Sequence, residues 1–101
     1  MINRLIIRPE AEADLADAQA WYEAQRKGLA AEFLLSVEEA LERIGRIPSM
    51  YSATYRDIRR VLLRRFPYVI YYRIVRDDVV IVAVLHTARN PRLWKSRTPK
   101  G

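Results

Sequence analysis

The chain has 101 residues, half of them hydrophobic and few of them Gly or Pro, which fits one folded domain with a single modest core. It has no Cys and one His, so disulfides, thiolate chemistry and Cys- or His-rich metal sites are excluded. The net charge is +6, the N-terminus is too short and charged for a signal peptide, and the longest apolar run, Val79 to Leu85, has seven residues where a membrane span needs about 20, so a soluble cytoplasmic protein is expected.

Residues 2–8 alternate loosely around Leu5, Ile6 and Ile7 and are expected to form a short strand at a sheet edge. Pro9 suits the first turn of a helix, and Glu10, Glu12 and Asp14 suit its positive end. The helix is expected to run to Lys27, with Ala11, Leu15, Ala18 and Tyr22 on one face and Trp21 beside it. Gly28 offers a left-handed cap. A second helix is expected from about Leu29 to Ile47, where Phe33, Leu34, Val37, Leu41 and Ile44 form a stripe of helical period and Pro48 stops the run. One Gly-centred turn between the two helices predicts an antiparallel hairpin.

Ser49 to Tyr55 has the composition of a loop. Three β segments follow: Arg56 to Arg65, Pro67 to Arg76 and Val79 to His86, with a tight turn at Asp77-Asp78. The near-continuous Val/Ile/Leu run of the last predicts a central strand buried on both faces. A polar, basic tail begins at about residue 87, with Trp94 as its large anchor. The order β-α-α-β-β-β predicts an α+β fold over residues 1–101: a helix hairpin packed on one face of a small antiparallel sheet, the other face open or used for binding.

The charge is concentrated in this second half. Residues 1–55 carry six Lys/Arg and nine Asp/Glu, net −3, while residues 56–101 carry twelve and three, net +9. Such a field steers anionic partners. Arg56, Arg59, Arg60, Arg64 and Arg65 crowd one segment; alternation sends Arg60 and Arg64 to one side and Arg59 and Arg65 to the other. They fit an edge strand protected by charge, or a basic platform for phosphate or carboxylate groups. In the next strand Tyr68, Ile70, Tyr72 and Ile74 alternate with Val69, Tyr71, Arg73 and Val75, which places Arg73 on the exposed face. His86 with Arg60, Arg73 and Arg89 on that same surface makes the one catalytic set available, an RNA-cleaving site with His86 as general acid or base. No second proton-transfer group completes it, since a Tyr with a pKa near about 10 is a poor base. No cofactor is called for: the three Gly, at positions 28, 45 and 101, form no phosphate-binding loop, and no hydrolase elbow is present.

Several segments together resemble the RelE/ParE toxin superfamily. They are the opening strand into Arg8-Pro9-Glu10-Ala11-Glu12, Trp21-Tyr22 in the first helix, Arg59-Arg60-Val61-Leu62, Phe66-Pro67-Tyr68-Val69-Ile70-Tyr71-Tyr72-Arg73, and His86-Thr87-Ala88-Arg89-Asn90-Pro91 with Trp94 beyond. The resemblance spans essentially the whole chain and is stronger to the ParE branch. It implies a toxin of a type II toxin–antitoxin system associated with plasmid stabilisation and growth arrest, neutralised by the acidic C-terminal segment of a cognate antitoxin, with operator DNA bound through the antitoxin. For the ParE branch the implied target is DNA gyrase, which a non-enzymatic inhibitor blocks. The alternative is a RelE-like, ribosome-dependent mRNA endonuclease. Residues 48–65 hold no Lys and no Tyr follows Tyr72, which departs from the RelE pattern and favours gyrase.

On this reading the target-binding residues are Arg59, Arg60, Arg73, Arg89, Arg92, Trp94, Lys95 and Arg97. The antitoxin-binding residues are Trp21, Tyr22, Met50, Arg64 and Arg65, which offer apolar surface and guanidinium groups to an acidic amphipathic segment. Phe33, and even Trp21, are more readily absorbed by the core.

Overall fold

The structure, a computed structural model, describes residues 4–97; residues 2 and 3 of the expected first strand and the end of the tail lie outside them. Strand β1 is Leu5–Ile7, helix α1 Pro9–Gln25 and helix α2 Leu29–Arg46. A single 3-10 turn at Pro48–Met50 leads to β2 (Ala53–Tyr55), β3 (Ile58–Leu62), β4 (Tyr68–Val75), β5 (Asp78–His86) and a short helix α3 (Arg92–Lys95). The α+β class and the helix hairpin are as expected from the sequence.

Pro9 opens α1 directly after an extended Arg8. Gly28, at φ 90°, takes the left-handed conformation its position requires, although it opens α2 rather than closing α1. The Glu23 carboxylate accepts hydrogen bonds from the Gly28 and Ala30 N–H groups, at 3.1 Å each, and so caps the start of α2. Those two N–H groups hold its carboxyl below the ordinary Glu value.

The strand order is β1-β5-β4-β3-β2. β5 lies inside the sheet, between β1 and β4, and is buried along most of its length, as its apolar run predicts. Two features differ from expectation. The sheet is mixed, because β1 lies parallel to β5 (Leu5 opposite Val79) while the other pairs are antiparallel. The helix hairpin between β1 and the rest returns the chain so that β1 enters the edge in the direction of β5. Ala53–Tyr55, expected as loop, is a further edge strand paired with β3 (Ala53 opposite Arg59). Three residues are too few to show a period, and Arg56, with φ 52°, turns the chain immediately after them.

Phe33, Val37, Ala40 and Ile44 of α2 pack with Ala11, Ala18 and Tyr22 of α1 against Val61, Ile70, Tyr72, Val79, Ile81 and Val84 of the sheet. The opposite face is not open. Ile58, Val69, Tyr71, Val82, Ala83 and Leu85 form a second apolar cluster, and Trp94 of α3 closes over it. The tail folds back because Trp94 finds an aromatic seat there: it stacks on Tyr71 at 4.4 Å between ring centres and meets Tyr55 edge-on at 5.7 Å.

One local irregularity governs where the functional side chains point. Tyr71 lies opposite Ala83, but Tyr72 lies opposite Ile81, so Val82 is an extra residue in β5. This β-bulge reverses the alternation along the strand. Before it Val79 and Ile81 face the helices; after it Val84 does, while Val82 and Ala83 both face outward.

Candidate functional site

The bulge carries His86 to the helical side. Its ring meets Tyr68 edge-on at 5.4 Å, and its Nδ1 accepts a hydrogen bond from the Ala88 N–H at 3.0 Å. His86, Tyr68 and Trp21 line two adjoining clefts at the mouth between α1 and the β4/β5 ends. One, of about 210 Å³, also takes in Asp14, Asp17 and Arg89; the other, of about 360 Å³, takes in Tyr22 and Pro67. Trp21 is 57% exposed and packs edge-on against the buried Tyr22 at 5.1 Å. Burial pushes the Tyr68 hydroxyl above its ordinary pKa; Arg89 opposes this, and Asp14 and Asp17 reinforce it.

The outer face of the sheet carries the cations. Arg60 lies opposite Tyr71 and sits over its ring at 5.9 Å. Lys95 sits over the rings of Tyr55 (4.8 Å) and Trp94 (5.6 Å), and Arg56 sits over Tyr55 at 5.3 Å. Burial raises the Tyr71 hydroxyl, with Arg60 opposing.

The RNA-cleaving constellation is therefore divided, which corrects the expectation that its members share one surface. Arg60 and Arg73 are on the outer face, and His86 and Arg89 are at the groove on the helical side. Plain period-two counting from Val80, the partner of Arg73, puts His86 beside the arginines; the inserted Val82 moves it across the sheet. Nor is Arg73 an open cation: its guanidinium donates to Asp57 at 2.8 and 3.0 Å and is one-quarter exposed.

Other arginines also have partners within the chain. Arg59 donates to the Ser49 carbonyl at 3.2 Å and to the Tyr51 carbonyl, stitching β3 to the 3-10 turn. Arg64 lies 3.8 Å from Glu39, and Arg65 lies 2.8 Å from Glu32. These two flank a further cleft of about 240 Å³ with the exposed Leu35. Arg97 pairs with Asp14 at 2.7 Å. Trp94 is 5% exposed, a core residue rather than a surface contact, whereas Arg89, Arg92 and Lys95 are exposed. Met50 is exposed and Tyr22 is buried. Local spacing does not mark Asp14, Asp57 or Tyr55 as site residues: Asp14 suits a helix start, and Asp57 and Tyr55 fall in a segment without period.

Among the described residues no group of His, Asp or Glu is placed to hold a metal ion, and no helix is long and apolar enough to cross a membrane.

Fold and surface together define a small, basic α+β protein with a helix hairpin on one face of a mixed sheet and a cation-bearing opposite face. The sequence model of the ParE toxin of type II toxin–antitoxin systems, parDE, matches residues 5–91. The chain belongs to this ParE toxin family, within the RelE/ParE superfamily. It is similar to Toxin ParE2 of Mycobacterium tuberculosis strains CDC 1551 / Oshkosh and H37Rv, with 29% identity over 92 residues, covering 90% of this chain and 88% of each relative. Among solved structures, the chromosomal ParDE TA system from P. aeruginosa shares the fold, with a TM-score of 0.74 at 16% identity, over 85% of this chain and 96% of that one.

Proposed function

We propose that this ParE-family toxin arrests growth in the cytoplasm by inhibiting DNA gyrase without catalysis of its own, and that a cognate antitoxin neutralises it. The observation that carries this reading is the family match across residues 5–91. The division of the nuclease set supports it. His86 lies across the sheet from Arg60 and Arg73, and burial pushes the hydroxyl of Tyr68, whose ring it meets, above its ordinary pKa, away from the range of a useful base. Cleavage of RNA needs a proton acceptor and phosphate-binding cations at one point.

The exposed cations Arg60, Arg89, Arg92 and Lys95 are the remaining candidates for target contact. For the antitoxin, the exposed Trp21 beside its clefts and the Leu35–Arg64–Arg65 cleft offer apolar surface next to guanidinium groups. An acidic amphipathic segment matches both features. Operator DNA would be bound through the antitoxin of the complex.

Purified toxin added to gyrase and relaxed plasmid tests the reading. Dose-dependent loss of supercoiling, reversed by antitoxin, is the expected result. Undiminished supercoiling at molar excess, with mRNA cleaved on ribosomes, would select the endonuclease instead.

A further inference from the structure

Leu35 is 66% exposed on α2 and leaves most of its side chain in water. It lies in the cleft of about 240 Å³ between α2 and the loop from β3 to β4, where Glu32, Glu39, Arg64 and Arg65 surround it. The loop is fixed from beneath: the buried Ser36 hydroxyl donates to the Arg64 carbonyl at 2.5 Å. Arg65 takes a left-handed backbone, φ 73°, rare for a residue with a side chain. Both carboxylates of the cleft are shared. Glu32 pairs with Arg26 and Arg65, each at 2.8 Å, and Glu39 pairs with Arg43 at 2.6 Å and Arg64 at 3.8 Å. Four guanidinium groups thus meet two carboxylates, an excess of two positive charges. Glu38, exposed on the same helix, does not line the cleft. The excess is most available at Arg64, because 3.8 Å is too long for a hydrogen bond and its side chain is 71% exposed. The Trp21 cleft that holds Arg89 is balanced by contrast: Asp17 lines it too, and its other carboxylate, Asp14, is paired with Arg97.

We infer that the Leu35–Arg64 cleft, rather than the Trp21 clefts, takes the charged contact of an acidic protein segment: an apolar side chain seats on Leu35 while a neighbouring carboxylate pairs with Arg64. The inference rests on the reading that an antitoxin neutralises the toxin, and names the point at which its acidic segment is held. A free guanidinium meets a carboxylate through two parallel hydrogen bonds, and the apolar contact takes Leu35 out of water. The cleft selects such a segment over a polyphosphate, which would leave Leu35 wet and bring phosphates against Glu32 and Glu39. It selects it over a second copy of this chain, whose net charge of +6 repels its like.

The test is titration calorimetry of the full chain with its cognate antitoxin. Leu35→Ala and Arg64→Ala are each expected to raise Kd about tenfold. Arg64→Glu sets like charges together and is expected to raise it about 100-fold. A scan of the antitoxin's carboxylates is then expected to find one Asp or Glu whose change to Arg restores binding to Arg64→Glu, which a misfolded toxin would not allow. Unchanged affinity in both Ala variants, with the parent binding, overturns this inference and leaves neutralisation standing. So does a loss confined to Trp21→Ala, which would put the contact at the other clefts, or dimerisation of the toxin alone that Leu35→Ala abolishes. A parent toxin that binds no antitoxin overturns the neutralisation reading and this inference with it.

Discussion

The guanidinium of Arg97 and the carboxylate of Asp14, 83 positions apart in the chain, meet at 2.7 and 3.2 Å and together occupy the open edge of β5. β1 ends at Ile7, opposite Ile81, and among the described residues no strand pairs with the edge beyond it. There Asp14 accepts from the Val84 N–H at 3.0 Å, and Arg97 donates to the Val82 carbonyl at 3.2 Å. One ion pair thus serves two backbone groups that a further strand would otherwise pair. It also fastens the tail to α1.

Removing either partner is expected to be costly, because their side chains are only 15% and 10% exposed. Arg97→Met should lower the unfolding free energy by about 2–3 kcal/mol, since it strands a desolvated carboxylate. Adding Asp14→Leu should recover part of that, which a double-mutant cycle in urea will measure. In both single variants the Val84 amide should exchange faster with solvent.

Trp94→Ala is expected to destabilise by about 3 kcal/mol, because it empties the seat on Tyr71 and uncovers the second apolar cluster. The two tryptophans are distinguishable by fluorescence. Trp94 is buried and Trp21 is 57% exposed, so Trp94→Phe should remove the blue-shifted emission and Trp21→Phe should leave it.

Tyr72 is fully buried and donates to the Pro48 carbonyl at 2.5 Å, anchoring the 3-10 turn to the sheet. Tyr72→Phe is expected to cost about 1–2 kcal/mol. Burial pushes the Tyr72 hydroxyl up to about 12, with Arg59 opposing and Tyr51 adding to the rise. The folded value lies above the unfolded one, so the neutral form is favoured in the fold. Stability from this group is fully present below pH about 10 and falls as pH rises towards 12. Alkaline unfolding of Tyr72→Phe should show a shallower decline than the parent.

His86→Asn is expected to leave growth arrest intact when the toxin is expressed without antitoxin, with cells filamenting and DNA damage induced. Asn retains an acceptor for the Ala88 N–H, so the strand end is kept. Loss of toxicity, together with loss of codon-periodic mRNA cleavage, would assign His86 a proton-transfer role instead.

The elements and their order follow from local signals. Pro9, Gly28 and Pro48 punctuate the helices, the stripe from Phe33 to Ile44 selects the buried face of α2, and the run from Val79 to Leu85 demands an interior strand. The asymmetry of charge is likewise a property of composition. The sequence by itself therefore determined an α+β toxin fold with a basic second half. Only the tertiary structure decided which cations remain for a partner and on which side His86 stands. The Arg97–Asp14, Arg73–Asp57 and Arg65–Glu32 pairs join residues far apart in the chain, which no local spacing encodes. The position of His86 depends on the single residue inserted at Val82, and a shift of one residue reverses every side chain after it.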